Sequence, residues 1–143
     1  MTISGLHMAA GHIETCPVYK IKSTDSNKFV LLTDRELTPF VSVVEIFDEG
    51  GRTPPNEHAE AYEYFYVLKG EGYATVGETS IPIRQGSFFI VPPGRTHAVV
   101  NTGEGKLYVL TTMVPDEKFS DLIKSGPRAE LDEEDLAVLG ALR

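Results

Sequence analysis

The sequence predicts an all-β fold, an antiparallel sandwich or barrel, with two short helices at its C-terminal end. Three observations predict it. Short runs of β-branched and aromatic residues recur at close spacing between residues 19 and 113, glycine and proline turns separate them, and residues 114–143 change to helical periodicity. A chain of 143 residues suits one domain with one core. The expected organisation is an N-terminal arm over 1–18, a barrel over 19–113 and a helical extension over 114–143.

The arm carries little pattern and reads as an irregular lead-in, with His7 and His12 exposed. Phe29 to Thr33 and Phe40 to Phe47 are the first two β-rich runs. Tyr62 to Leu68, Gly72 to Val76, Ser87 to Val91, Ala98 to Val100 and Leu107 to Thr112 follow. The turns between them are built from Asp48-Glu49-Gly50-Gly51, Lys69-Gly70-Glu71, Gly77-Glu78, Gln85-Gly86, Pro92-Pro93-Gly94 and Thr102-Gly103-Glu104-Gly105. In the tail, Phe119, Leu122 and Ile123 fall at helical spacing before a Gly126-Pro127 stop. A second helix opens on a capping pair, Asp132 and Asp135, and carries the stripe Leu136, Leu139, Leu142. Both helices are expected to cover a barrel end or edge.

Composition narrows the function classes. A net charge of −8, with no cluster of Lys or Arg, makes nucleic acid and anionic membranes poor partners, because both demand a positive footprint. The apolar runs are far shorter than the roughly 20 residues that cross a bilayer. No basic stretch precedes an apolar one at the N-terminus, so the expectation is a soluble cytoplasmic protein without a signal peptide. The single cysteine, Cys16, forms neither an internal disulfide nor a thiolate zinc site, and it is given no role. Gly103-Glu104-Gly105 lacks the strand-to-helix setting of a phosphate loop, and no G-x-S-x-G occurs.

Two segments carry chemistry, because their histidines sit among glycines and prolines at strand ends. The first runs from Gly50 through Asn56-Glu57-His58 and Glu63 to Gly70; the second runs from Gly86 through Pro92-Pro93-Gly94 and His97 to Asn101. Strand residues separated by an even number share a face, so Glu63, Phe65 and Val67 point one way and Tyr62, Tyr64 and Tyr66 the other. His97, Val99 and Asn101 likewise share a face. Glu45 has the parity of Val43 and Phe47. Inside a barrel its carboxylate needs a partner, and exposure is the equal alternative. Arg52, Glu45 and Arg95 are candidate substrate contacts, with surface exposure the equal alternative for all three, while Glu57 and Glu60 read as solvated charges. The tyrosine row reads as packing against the opposite sheet or the C-terminal helices, with a subunit interface as the other option.

These two segments resemble the motifs of the cupin superfamily, in particular its small single-domain members. That family's first motif is Gly, five residues, His-x-His, three or four residues, Glu, six residues, Gly. The chain matches it from Gly50 to Gly70 at every position except the first His, which is Asn56. The second motif, Gly, five residues, Pro-x-Gly, two residues, His, three residues, Asn, is matched completely by Gly86, Pro92, Gly94, His97 and Asn101.

The resemblance implies a double-stranded β-helix, or jelly roll, with His58, Glu63 and His97 as ligands of one divalent metal ion, whether Fe, Mn, Ni or Zn. Two imidazoles and a carboxylate leave open coordination positions and do not select strongly among these metals. Asn56, standing where the family has a further His ligand, binds weakly through its amide oxygen, serves as a hydrogen-bonding neighbour, or does not touch the metal. The implied activity is that of a metal-dependent enzyme on a small organic substrate, by dioxygenase, decarboxylase, isomerase or lyase chemistry, with Glu63 and Arg52 in catalytic roles. The alternatives are a non-catalytic cupin that binds or senses a small molecule, or an accessory pathway subunit. Family likeness also makes a homodimer the expected assembly.

Overall fold

The structure, a computed structural model, describes residues 9–53 and 56–140. His7 and Leu142 therefore lie outside the described residues. Nine strands form two antiparallel sheets among these residues. The larger has the order β1-β2-β3-β9-β4-β7, built from β1 (Val18–Tyr19), β2 (Lys28–Thr33), β3 (Val41–Phe47), β9 (Leu107–Val114), β4 (Tyr62–Lys69) and β7 (Phe88–Val91). The smaller has the order β6-β5-β8, from β6 (Thr79–Arg84), β5 (Glu71–Val76) and β8 (His97–Asn101). A 3-10 turn (Ile13–Thr15) lies in the lead-in, and α1 (Phe119–Lys124) and α2 (Glu133–Val138) follow the last strand. This is the predicted jelly roll with two short C-terminal helices.

Alternation does what the sequence promised in β4, where Glu63, Phe65 and Val67 are buried and Tyr62, Tyr64 and Tyr66 are exposed. The inner faces of the two sheets close on Phe47, Phe65, Val67, Ala74, Ile83, Phe89, Val99 and Val109, with the rings of Phe65 and Phe89 stacked at 4.4 Å. A second cluster, Phe29, Leu31, Val41, Val43, Ala61 and Met113, fills the end nearer the motif histidines, and α1 caps it with Ile123. Burying that isoleucine completely stabilises the cap by about 1.5–3 kcal/mol. A third cluster lies on the outer face of the large sheet, where Val30, Val44, Ile46 and Tyr108 are covered by Leu131, Val138 and Leu139 of the α2 region. The helices thus cover one barrel end, as expected, and one sheet face rather than an edge.

Three readings need correction. The run Thr79–Arg84 is strand β6, which the pattern obscured because it contains Pro82. At the outer edge of the small sheet a residue without an N–H is tolerated, and Pro82 pairs with Tyr73 there. The lead-in is less irregular than expected, since Val18 and Tyr19 pair with Val30 and Phe29. The tyrosine row does not pack on the opposite sheet or the helices. Tyr62, Tyr64 and Tyr66 are 58%, 40% and 38% exposed, beside Phe88, Ile90 and Val114 on the neighbouring strands.

Two motif residues prove to be structural. Asn101 donates from Nδ2 to the carbonyls of Phe47, Asp48 and Gly105 and accepts from the Gly103 N–H, tying the end of β8 to the end of β3. Gly70 has φ +96°, and a Cβ there would lie 2.6 Å from the Lys106 carbonyl oxygen, so only glycine permits the turn between β4 and β5.

Candidate metal centre

Three side chains from separate stretches of the chain converge at the barrel end capped by α1. Glu63 arrives on the second position of β4, and His97 opens β8, so each is aimed inward by strand parity. His58 precedes β4 and is held by its backbone: its carbonyl accepts from the Gly94 N–H at 2.8 Å. Gly94 sits at φ +78°, the left-handed conformation that the turn of the second motif uses and that glycine adopts without strain. The same segment is pinned from the tail. The Glu117 carboxylate accepts from the N–H groups of Glu60 at 3.3 Å and Ala61 at 2.8 Å. Glu117 and its neighbour Lys118 pay for this with φ values of +50° and +66°, a left-handed pair unusual for such residues.

The resulting geometry is tight. Glu63 Oε1 lies 2.9 Å from His97 Nε2 and 3.1 Å from His58 Nε2, and one ligand atom from each of the three falls within 4.8 Å of the others. Glu63 and His97 are buried, at 6% and 4% exposure, and His58 is half-buried. His97 Nδ1 lies 3.1 Å from the Arg95 carbonyl oxygen, to which it donates, and this fixes the ring with Nε2 directed at Glu63. Burial pushes the Glu63 carboxyl up, but hydrogen bonds from His58 and His97 outweigh it and hold the group below the usual carboxylate range. For His97, burial works against the charged ring, yet the bonds to Glu63 and the Arg95 carbonyl raise it above an ordinary histidine. Such a cluster is a candidate metal site, in which a cation would take the place of the shared proton.

The centre opens into a cavity of about 590 Å³. Arg52 and Asn56 line it as well. Asn56 exchanges two backbone hydrogen bonds with His97, at 2.9 and 2.8 Å, which sets the two motifs in register. Arg52 is exposed and forms a bridge with Val100. Arg95, Glu57 and Glu60 are exposed, and His12, also exposed, caps the 3-10 turn by accepting from the Glu14 N–H.

Glu45 is inside. It is 6% exposed, lines the cavity and receives a 3.0 Å hydrogen bond from Asn27 Nδ2. Burial pushes its pKa up to about 8, with the Asn27 bond opposing and the charge of Glu63 adding. A carboxyl whose pKa is higher folded than unfolded keeps its proton longer in the native state, so stability falls as pH rises through that interval. Metal-free wild type is therefore expected to lose more thermal stability between about pH 5 and about pH 8 than Glu45→Gln does. Melting curves at the two pH values check this.

Sequence reasoning missed Asn27, Phe29, Phe119 and Leu122 as cavity residues. Phe119 reaches the site from α1, its ring 6.4 Å from that of His58. Its helical spacing signalled burial but not the surface against which it would be buried.

Comparison with known proteins agrees with this architecture. Residues 43–113 match the cupin domain family. The chain is 25% identical over 112 residues to an oxalate-binding protein of Thermotoga maritima, covering 78% of this chain and 84% of that one. It is 26% identical over 72 residues to an uncharacterized protein of Methanocaldococcus jannaschii, covering 50% of this chain and 58% of the relative's length. Among solved structures, an RmlC-like cupin from Shewanella frigidimarina superposes with a TM-score of 0.66 at 21% identity, covering 80% of this chain and 95% of that one.

Proposed function

Since this chain is a small cupin-domain protein, we propose that it holds one divalent metal ion on His58, Glu63 and His97 and presents it to a small organic substrate. The observation that carries this reading is the convergence of the three ligand atoms within 4.8 Å at the wall of a roomy cavity. The donor set fits Fe, Mn, Ni or Zn, because two neutral imidazole nitrogens and one carboxylate oxygen leave positions open for a chelating substrate. When bound, the ion supplies Lewis-acid polarisation of a substrate oxygen, which serves dioxygenase, decarboxylase, isomerase and lyase reactions alike.

The chain's own residues do the rest. The Arg95 carbonyl keeps the His97 ring in the tautomer that offers Nε2. Arg52, exposed beside the cavity, is placed to meet a carboxylate on an entering substrate, and Asn56 beside His97 tunes the open positions. Phe119 and Phe29, edge to face at 6.3 Å, wall the site from α1 and β2 and limit the approach of water. No helix among the described residues is long and apolar enough to cross a membrane.

Metal analysis of protein purified without chelator tests the reading. One equivalent of a transition metal supports it, and metal-free protein that refuses reconstitution contradicts it. A second reading, a carrier or sensor without turnover, is favoured by the likeness to a protein described as oxalate-binding. Metal-loaded protein that binds chelating acids without consuming them or O₂ selects that reading.

For assembly, the exposed row of Tyr62, Tyr64, Tyr66, Phe88 and Ile90, with Tyr64 stacked on Phe88, supports a homodimer through this face. Tyr64→Glu is expected to shift the chain from dimer to monomer in sedimentation equilibrium. A wild type that sediments as a monomer contradicts this assignment.

A further inference from the structure

We propose that Glu45 and Asn27 form a second recognition point in the cavity, one that reads a hydroxyl group carried by the substrate beyond its metal-chelating end. This rests on the metal-centred reading above and specifies its substrate class: hydroxy acids of three or more carbons with a distal hydroxyl.

Glu45 has no structural reason to be a carboxyl. Its same-face neighbours on β3 are Val43 and Phe47, and its register partner on β9 is Val109, all buried and apolar. A valine or leucine would satisfy that wall, whereas a buried carboxyl without a counter-ion costs stability. Among the described residues Glu45 forms no ion pair, and its side chain receives one hydrogen bond, from Asn27. Asn27 is 7% exposed and divides its Nδ2 between Glu45 and the Arg52 carbonyl, the latter at 3.3 Å. Its Oδ1 is buried with no partner among the described residues. Both residues line the cavity that holds His58, Glu63 and His97. Gly51 makes room for this pair, since a Cβ there would lie 3.0 Å from Asn27 Oδ1 and 2.9 Å from the Asp48 carbonyl oxygen.

Two further facts select a hydroxyl. A cavity of about 590 Å³ falls in the range of sites for ligands of many atoms and far exceeds what a two-carbon diacid fills. Asn27 Oδ1, unpartnered among the described residues, and the Glu45 carboxyl present acceptors to the cavity, and a hydroxyl supplies the donor they lack. An acceptor-only dianion such as oxalate leaves the acceptors unsatisfied.

The test uses the full chain loaded with Co(II), whose visible spectrum reports chelation. Lactate, glycerate and threonate share a 2-hydroxy-acid chelating end and differ in the hydroxyls beyond it. Glycerate or threonate is expected to bind about tenfold tighter than lactate, the worth of one well-placed hydrogen bond. In Glu45→Leu that preference, read as the ratio of glycerate to lactate affinity in the same cobalt-loaded protein, is expected to vanish. Glu45→Val, matched to Val43, serves as a second apolar variant should the leucine not fit. Equal binding of the three acids by wild type, or a preference that survives in the apolar variants, overturns the proposal and leaves the metal reading standing. Absence of any spectral response to all three acids removes the chelation reading and this proposal with it.

Discussion

His97→Ala is expected to abolish stoichiometric metal retention while leaving the barrel folded. The substitution removes one of the three proposed ligands and leaves the Glu63 carboxylate with a single imidazole partner, that of His58, 3.1 Å away. Losing only an outer partner of a metal ligand typically costs about 10- to 100-fold in affinity, so loss of the ligand itself exceeds about 100-fold. The backbone of position 97 keeps its bonds to Asn56 and its pairing with Val76, so β8 stays in place. Metal content by elemental analysis, with circular dichroism as the check on folding, measures both halves. His12→Ala, on the exposed 3-10 turn, is the control that retains metal.

Asp135→Ala is expected to be the most damaging single substitution for stability away from the centre. The Asp135 side chain is completely buried, with Lys106 Nζ at 2.9 Å, Lys28 Nζ at 3.3 Å and the Tyr108 hydroxyl at 2.8 Å. Its Oδ2 also accepts from the Asp132 N–H at 3.0 Å, completing the capping box of α2. Truncation leaves two lysines and a buried tyrosine hydroxyl facing a void, a class of change that costs about 3–5 kcal/mol. Against a typical total of about 5–15 kcal/mol this is large. Asp135→Asn, which keeps an acceptor for Tyr108, is expected to lie between alanine and wild type. Asp132→Ala, at a half-exposed cap, is expected to cost about 1 kcal/mol. Urea unfolding of the four proteins ranks them.

The legible parts of the molecule were those written in local pattern. Alternation in Tyr62–Lys69 gave the inward face of β4, the Asp132/Asp135 spacing gave the capping box, and the two spaced motifs placed His58, Glu63 and His97 at one end of the barrel. What stayed hidden depends on contacts between segments far apart in the chain. The Lys28–Lys106–Tyr108–Asp135 network joins β2, β9 and α2, and no periodicity in any of those segments encodes it. Asn27 lies just before β2, in a stretch whose polar residues resemble any loop, and only the approach of Arg52 and Glu45 makes it part of a wall. Parity allowed Glu45 to face inward, but its partner, 18 positions earlier, was not predictable from spacing. The packing reading of the tyrosine row fails for the same reason. Parity tells which residues leave the core, not whether another layer covers them.

The most direct test of the central claim is anomalous diffraction at the metal absorption edge from crystals grown with one equivalent of the ion. A single peak at bonding distance, about 2.0–2.3 Å, from His58 Nε2, His97 Nε2 and a Glu63 carboxylate oxygen is the predicted result. A peak held elsewhere on the chain, or an intact Glu63–His97 contact with no density beside it, contradicts the account.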